Sequence, residues 1–462
     1  MSSTATRNRP PVPRVATGMP WWIWAAVILF AAVLVFSIIR SLIPEDPAQL
    51  FGEAKAAIVS LEPEIVQQRI EQLRAFPDYS GHVQFLEAVL FLGRSMPLKA
   101  IPLLKLAAET PELRGEATLY LGRAYGRSGK LSESIATLKT VVDDPQAGET
   151  ARVTLAGMLS SVQAYDEALE LLNLQLEKKP DDARSLYLRA EIMMDTHRYE
   201  EAAVDLAASI AADKTDPALS QKSVKFLQAR SFIGDFSDTG DIEENLDNPV
   251  SVNHFRALRR LSEGKLEDAL AALEEAVMQA ADTPMLSGVY GRIIAAYDKP
   301  ELALDALPRI YTACITSPRD AELMRTLATL ALQAGQTEIA AKATENADEL
   351  EKIRIRMFEK LKEVAPAYGD VTGRMELADL ALECGEADFS DRIFQGLVMF
   401  FSEHEAEIRT RRASFETRRL PIVNIPPPPG FSVSDIPMTS EPPPQLTKPT
   451  LNEGLPTESP RD

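Results

Sequence analysis

"GEATLYLGRAYGRSGKLSESIATLKTVVDDP", Gly115 to Pro145, is followed by "ETARVTLAGMLSSVQAYDEALELLNLQLEKKP", Glu149 to Pro180, and then by "ARSLYLRAEIMMDTHRYEEAAVDLAASI" from Ala183. Successive starts lie thirty-four residues apart. At the eighth place stand Gly122, Ala156 and Ala190, at the twentieth Ser134, Ala168 and Ala202, and at the twenty-fourth Leu138, Leu172 and Leu206. Small residues recur where two helices must approach, and leucines recur where the groove between them must be filled. Each block therefore reads as a helical hairpin whose apolar side needs a neighbouring hairpin to cover it.

The same register continues on both sides with less fidelity. Counted from Gly81, Ala88 and Ala100 take the small places; further on come Gly264, Ala269 and Leu273, then Gly291 and Ala303. Leu327, Ala328, Gly335 and Ala340 follow, and finally Leu377, Ala378, Gly385 and Ser390. This pattern resembles the tetratricopeptide repeat family, whose unit is helix, turn, helix with small residues at places eight and twenty; "YDEALELL" from Tyr165 and the closing Pro180 match it best. The resemblance covers roughly residues 81 to 400, about seven or eight units. It implies an all-α solenoid of stacked hairpins whose first helices form a concave face for a protein or peptide partner. Places two, five, nine, twelve and thirteen would line that face, and Arg123, Arg127, Arg184, Tyr187 and Met194 are the residues there expected to meet a partner. Place nine reads Arg123, Gly157 and Glu191, so the lysine and asparagine clamp by which chaperone-binding members hold a terminal carboxylate does not carry over.

The Gly129-Lys130 pair has a superficial phosphate-loop look. A phosphate loop needs a glycine five residues before that Gly-Lys and a Ser or Thr after it, between a strand and a helix. Here those places hold Ala124 and Leu131, and Gly264-Lys265-Leu266 repeats the triplet at the same place of another unit. The glycines are expected to stop the first helix of a hairpin in the left-handed conformation.

Composition agrees with helices: 45% of residues are hydrophobic but only 6% aromatic. The chain has 49 basic and 68 acidic residues, and four of its arginines fall before residue 41 with no acid among them. A body so acidic is repelled by nucleic acid, which binds through basic surfaces. Cys314 and Cys384 are seventy residues apart and form neither a metal cluster nor a disulfide framework. His82, His197, His254 and His404 are isolated from one another, and no catalytic, cofactor or metal pattern surrounds them.

Trp21 to Ile39, "WWIWAAVILFAAVLVFSII", is nineteen residues without charge or helix breaker, enough to cross a bilayer. Trp21, Trp22 and Trp24 suit the headgroup level, and Arg7, Arg9 and Arg14 hold the N-terminus in the cytoplasm. The bulk of the chain would then be extracytoplasmic, periplasmic in a bacterium of the Gram-negative type. The expected order is a basic tail (1–20), a transmembrane anchor (21–40), a helical cap (41–80), a repeat array (81–216), a degenerate repeat with an acidic loop (217–250), a second array ending in a long helix (251–415), and a disordered proline-rich tail (416–462).

Two places depart from the repeat. After "ALSQKSVKFLQARSFI" the second helix gives way to "GDFSDTGDIEENLDNP". From Asp235 this has a faint likeness to a calcium loop, but Leu246 stands where a bidentate glutamate belongs, so a solvated acidic loop is expected. Glu345 to Asp370 is a helical insertion that would bend the stack or cap it. Arg409, Arg411, Arg412, Arg418 and Arg419 gather near the end of the last helix, where cations suit the helix dipole.

The reading is a membrane-anchored, extracytoplasmic scaffold for protein partners, within an envelope assembly complex. One alternative is an assembly factor like the anchored repeat subunits of cytochrome c maturation or the translocon-associated chaperones. Another is binding of cell-wall polymer through the arginine-rich helix. Self-association of the chain is compatible with all three.

Overall fold

The computed structural model describes residues 46–236, 240–243, 245–246, 248–279, 283–417 and 424–431, together with 23, 25, 26 and 28–31. Among the described residues every regular element is a helix. The chain divides into two units, Met1–Leu90 and Phe91–Asp462. Most of the apolar run Trp21 to Ile39 lies outside the described residues; those that are described are helical, and Ile28, Leu29 and Phe30 expose 66%, 69% and 70% of their surface. No helix among the described residues is long and apolar enough to cross a membrane.

In the first unit α1 (Pro47–Val59) and α2 (Pro63–Leu73) form a hairpin. Each begins with proline, which has no N–H to leave unsatisfied at a helix start, and Asp46 caps α1 by accepting from the Ala48 amide at 3.0 Å. Leu50, Ala54 and Ala57 are buried on α1, as are Val66, Ile70 and Leu73 on α2. Helix α3 (Ser80–Gly93) runs across the division between the units.

The second unit continues with α4 (Pro97–Ala107) and then the three hairpins read first: α5 (Arg114–Arg127) with α6 (Leu131–Lys139), α7 (Gly148–Ser161) with α8 (Tyr165–Lys178), and α9 (Ala183–Asp195) with α10 (Tyr199–Ala212). Places eight and twenty-four meet within a hairpin: a Cβ on Gly122 would stand 2.6 Å from the Leu138 side chain. Ala156, Ala190, Ala168, Ala202, Leu172 and Leu206 are all fully buried. The fifteenth place is the stop. Gly129, Gln163 and His197 hold φ of +78°, +56° and +59°, and the next amide in each case reaches the carbonyl five residues back, Lys130 to Tyr125, Ala164 to Leu159 and Arg198 to Met193, at 2.8 to 2.9 Å. The Gly129-Lys130 pair is a helix stop. That Gln163 and His197 adopt the same backbone shows that hairpin geometry imposes it, against a cost of about 1 kcal/mol for a residue with a Cβ.

Helix α11 (Leu219–Ile233) has no full partner; one helical turn, Gly240–Glu243, follows it. The acidic loop is not simply solvated. Phe236 and Ile242 are buried in the core, and the buried Glu243 carboxylate pairs with Arg259 at 3.0 Å and Arg256 at 3.6 Å. Asp235 pairs with Arg230, and no cluster of acids, histidines or cysteines among the described residues could hold a metal ion. Hairpins resume with α12 (Pro249–Ser262) and α13 (Leu266–Gln279), then α14 (Pro284–Tyr297) and α15 (Pro300–Thr316), then α16 (Ala321–Gln333) and α17 (Thr337–Val364). The final hairpin is α18 (Val371–Glu383) and α19 (Ala387–Phe400), followed by α20 (Glu405–Thr417).

The insertion at Glu345 is not separate from its neighbour. It lengthens the second helix of a hairpin into α17, which has 28 residues and so spans about 42 Å. Its first half, from Ile339 to Leu350, packs with the middle of the array. Its second half, Met357, Leu361 and Val364, belongs to another core that joins α5 to α9 with α18 and α19. The second unit thus closes on itself: α19 packs against α5 and α7.

Two further expectations change. The proline-rich tail expected from 416 starts later and is not featureless throughout: the last helix runs to Thr417, and within 424–431 Ile425, 4% exposed, and Pro428 are buried; positions 418–423 and 432–462 lie outside the described residues. The arginines of α20 are engaged within the chain: Arg409 with Glu405, Arg411 with Asp379 and Arg412 with Asp391, each at 2.7 Å. Arg418 and Arg419 lie outside the described residues.

Candidate functional site

The first helices α5, α7 and α9 present their repeat places side by side, and closure divides this face in two. Helix α19 packs over the C-terminal ends of α7 and α9, whereas Arg127, at place thirteen of α5, is exposed. A Cβ on Gly396 of α19 would stand 2.1 Å from the Ser161 carbonyl oxygen, so α19 lies directly on the end of α7. Arg392 of α19 pairs with Asp195, which also accepts from the Tyr165 hydroxyl at 2.7 Å. Burial raises the Asp195 carboxyl above its ordinary value, and Arg392 and Tyr165 oppose it. Nearby, His197 Nε2 reaches Glu386 at 3.3 Å, and its ring stands edge-on to Phe358 of α17. Place twelve of the first hairpin is closed as well, since a Cβ on Gly126 would meet the Met158 methyl at 2.7 Å.

Toward the start of these helices the face is partly open: Leu119 and Val153 at place five are buried, while Tyr187 and the residues at places two and nine are half-buried or exposed. Arg123 is half-buried and lies over the Tyr120 ring at 5.4 Å. Burial lowers its pKa, and the charges of Arg127 and Arg184 push the same way. Arg127 is exposed and donates to the Leu92 carbonyl at 2.9 Å. Arg184 is exposed in the first turn of α9, where a cation opposes the helix dipole. None of the three has an ion-pair partner among the described residues, in a chain whose net charge is −19. Between their helices lies Gly157, mid-helix in α7, where a Cβ would meet nothing within 4 Å. No internal contact requires glycine there, although it costs a helix up to about 1 kcal/mol relative to alanine.

Tyr187 is half-buried beneath two amines, Lys222 at 5.4 Å and Lys225 at 5.1 Å from its ring. Lys225 pairs with Glu191 and Lys222 with Asp216. Arg127 and Arg184 thus act on the charge of Arg123, and Tyr187 is set among cations. Met194 does not join them; it packs half-buried against the core. Sequence reasoning missed Lys222 and Lys225, which come from α11, and missed Arg392 and Gly396, which come from the far end of the array. Nothing in the repeat register marks a residue that arrives from another unit.

No protein-family model matches the chain, and a search of characterised proteins returns no match. A search of solved structures does return matches. One is a tetratricopeptide repeat protein from Parabacteroides merdae, 18% identical, with a TM-score of 0.33 over 54% of this chain and 98% of that one. Others are the P58(IPK) TPR domain, 16% identical with a TM-score of 0.22 over 81% and 100%, and yeast Tom70, 12% identical with a TM-score of 0.30 over 81% and 92%. These neighbours are tetratricopeptide repeat proteins.

Proposed function

We propose that this chain is a scaffold that holds a protein partner by an acidic segment laid along the open part of its inner face. The observation that carries this reading is that the charges of Arg127 and Arg184 act on Arg123 and that none of the three forms an ion pair among the described residues. Mutual repulsion disfavours this arrangement, and carboxylates from a ligand would relieve it through charge-assisted, bidentate hydrogen bonds. Gly157 leaves room for a backbone to approach, and Tyr187 offers an aromatic edge beside Lys222 and Lys225. The arginines of α20 already bond to the chain's own acids, which favours the repeat face over the terminal helix as the docking surface.

The scaffold is proposed to be carried on a bilayer by Trp21 to Ile39, with the repeats on the extracytoplasmic side and the partners drawn from an envelope assembly complex. Support comes from the uncharged length of that run and from Arg7, Arg9 and Arg14 before it.

The test is binding of fluorescein-labelled hexaglutamate to the full chain purified in detergent, with hexaglutamine as control. Joint R123E and R127E substitution is expected to weaken hexaglutamate at least tenfold, and binding should weaken steeply with salt. Equal binding by variant and wild type refutes the arginine site.

A further inference from the structure

Residues 424–431 read Asn-Ile-Pro-Pro-Pro-Pro-Gly-Phe, and they are seated on the second unit. Ile425 is 4% exposed within the larger apolar core, and its carbonyl accepts a hydrogen bond from the Tyr311 hydroxyl at 3.0 Å. Pro428 is buried. Gly430, with φ +76°, turns the chain so that the Phe431 amide bonds the Pro428 carbonyl at 3.1 Å. That turn brings the Phe431 ring edge-on to Tyr311, 5.5 Å between centroids. Two apolar anchors six positions apart thus converge on one tyrosine. The intervening prolines fix φ near −65°, so the segment is already extended before it docks and loses little entropy on doing so.

Tyr311 belongs to α15, the second helix of its hairpin, and not to the inner face of first helices. It is 3% exposed with the segment in place. Only positions 418–423 separate the end of α20 from Asn424, so the segment is held near its seat by at most about 25 Å of chain.

We propose that the face of α15 at Tyr311 is a second peptide-binding site, recognising a proline-rich segment flanked by Ile and Phe, with this chain's own residues 424–431 as its tethered occupant. Tethering gives that occupant an effective concentration on the order of millimolar. For a segment of roughly 100 μM intrinsic affinity, the same sequence offered in trans meets a site weakened about tenfold.

The test uses the full chain and a labelled peptide with the sequence of residues 423–432, followed by fluorescence anisotropy. Joint I425A and F431A substitution removes the tethered anchors and is expected to tighten binding of the peptide about tenfold over wild type. Adding Y311F to that variant should weaken it again several-fold. Pro427 is exposed, so Pro427→Gly loosens the tether without removing a buried contact, and a two- to fivefold gain in trans binding is expected from it. Hexaglutamate binding should be unchanged throughout, which separates this site from the arginine face. If neither I425A/F431A nor P427G binds the peptide more tightly than wild type, the proposal is overturned.

Discussion

Arg374 donates to the Val162 carbonyl from Nε at 3.1 Å and from Nη2 at 2.7 Å, joining α18 to the end of α7 across 212 positions of sequence. Its remaining donors reach the carbonyls of Ala367, Asp370 and Val364 at 2.6, 3.1 and 3.0 Å. Val162 follows α7 and Val364 ends α17, so one cation serves the negative ends of two helices. Arg374 is 1% exposed, and burial lowers its pKa to about 10, which leaves it charged at neutral pH. This is the fastening of the closed array.

Arg374→Met is therefore expected to destabilise the chain by about 3 to 5 kcal/mol, because several buried carbonyls lose their donor at once. Arg374→Lys keeps the charge but has three donors and no planar fork, so about 1 to 3 kcal/mol should be lost. Urea unfolding followed by circular dichroism measures both.

Gly396→Ala tests the closure from the other side. Alanine is the better helix former by about 1 kcal/mol, yet its Cβ would meet the Ser161 oxygen at 2.1 Å, a backbone atom that cannot step aside. A net loss of about 1 to 3 kcal/mol is expected. Hydrogen exchange should rise at the end of α7 and along α19 while α12 to α16 keep their protection.

Two further glycines separate conformation from contact. Neither Gly264 nor Gly157 has anything within 4 Å of an added Cβ, but Gly264 holds φ +74° and Gly157 is helical. Gly264→Ala should cost about 1 kcal/mol. Gly157→Ala should gain about 0.5 to 1 kcal/mol. If Gly157 is the floor of the partner groove, the stabilised variant also binds hexaglutamate less well; the melt and the titration are done on the same sample.

His254 sets a pH dependence. Burial, with Arg292 adding, lowers its pKa to about 4 from an ordinary value of 6.5. The unfolded chain therefore binds a proton between pH 6.5 and 4 that the folded chain refuses, and stability falls as pH drops through that window. His254 should account for about 2 kcal/mol between pH 7 and 4.5. Replacement by Phe removes that part of the slope, which is read as the difference between the two urea-unfolding profiles.

The hairpins were legible because their contacts are local. Gly122 meets Leu138 sixteen residues on, so the constraint appears in the sequence as a period, and the fifteenth-place stop follows from the same spacing. Arg123, Arg127 and Arg184 could be placed on one face by counting. The register did not reveal which half of that face would be covered, nor that Tyr187 would lie beneath Lys222 and Lys225. The acidic loop looked solvated because nothing nearby marks Arg259 as the partner of Glu243.

By itself, then, the sequence determined an array of helical hairpins, their length, their stops and the face their first helices share, since each of these depends on side chains within one or two repeats. The tertiary structure alone decided that the array closes, because the position of α18 and α19 results from every preceding crossing angle together with the 28-residue span of α17. Small angles add over many repeats, and no single residue encodes their sum. Arg374, Gly396 and the seat of residues 424–431 on Tyr311 acquire their meaning only where distant parts of the chain meet.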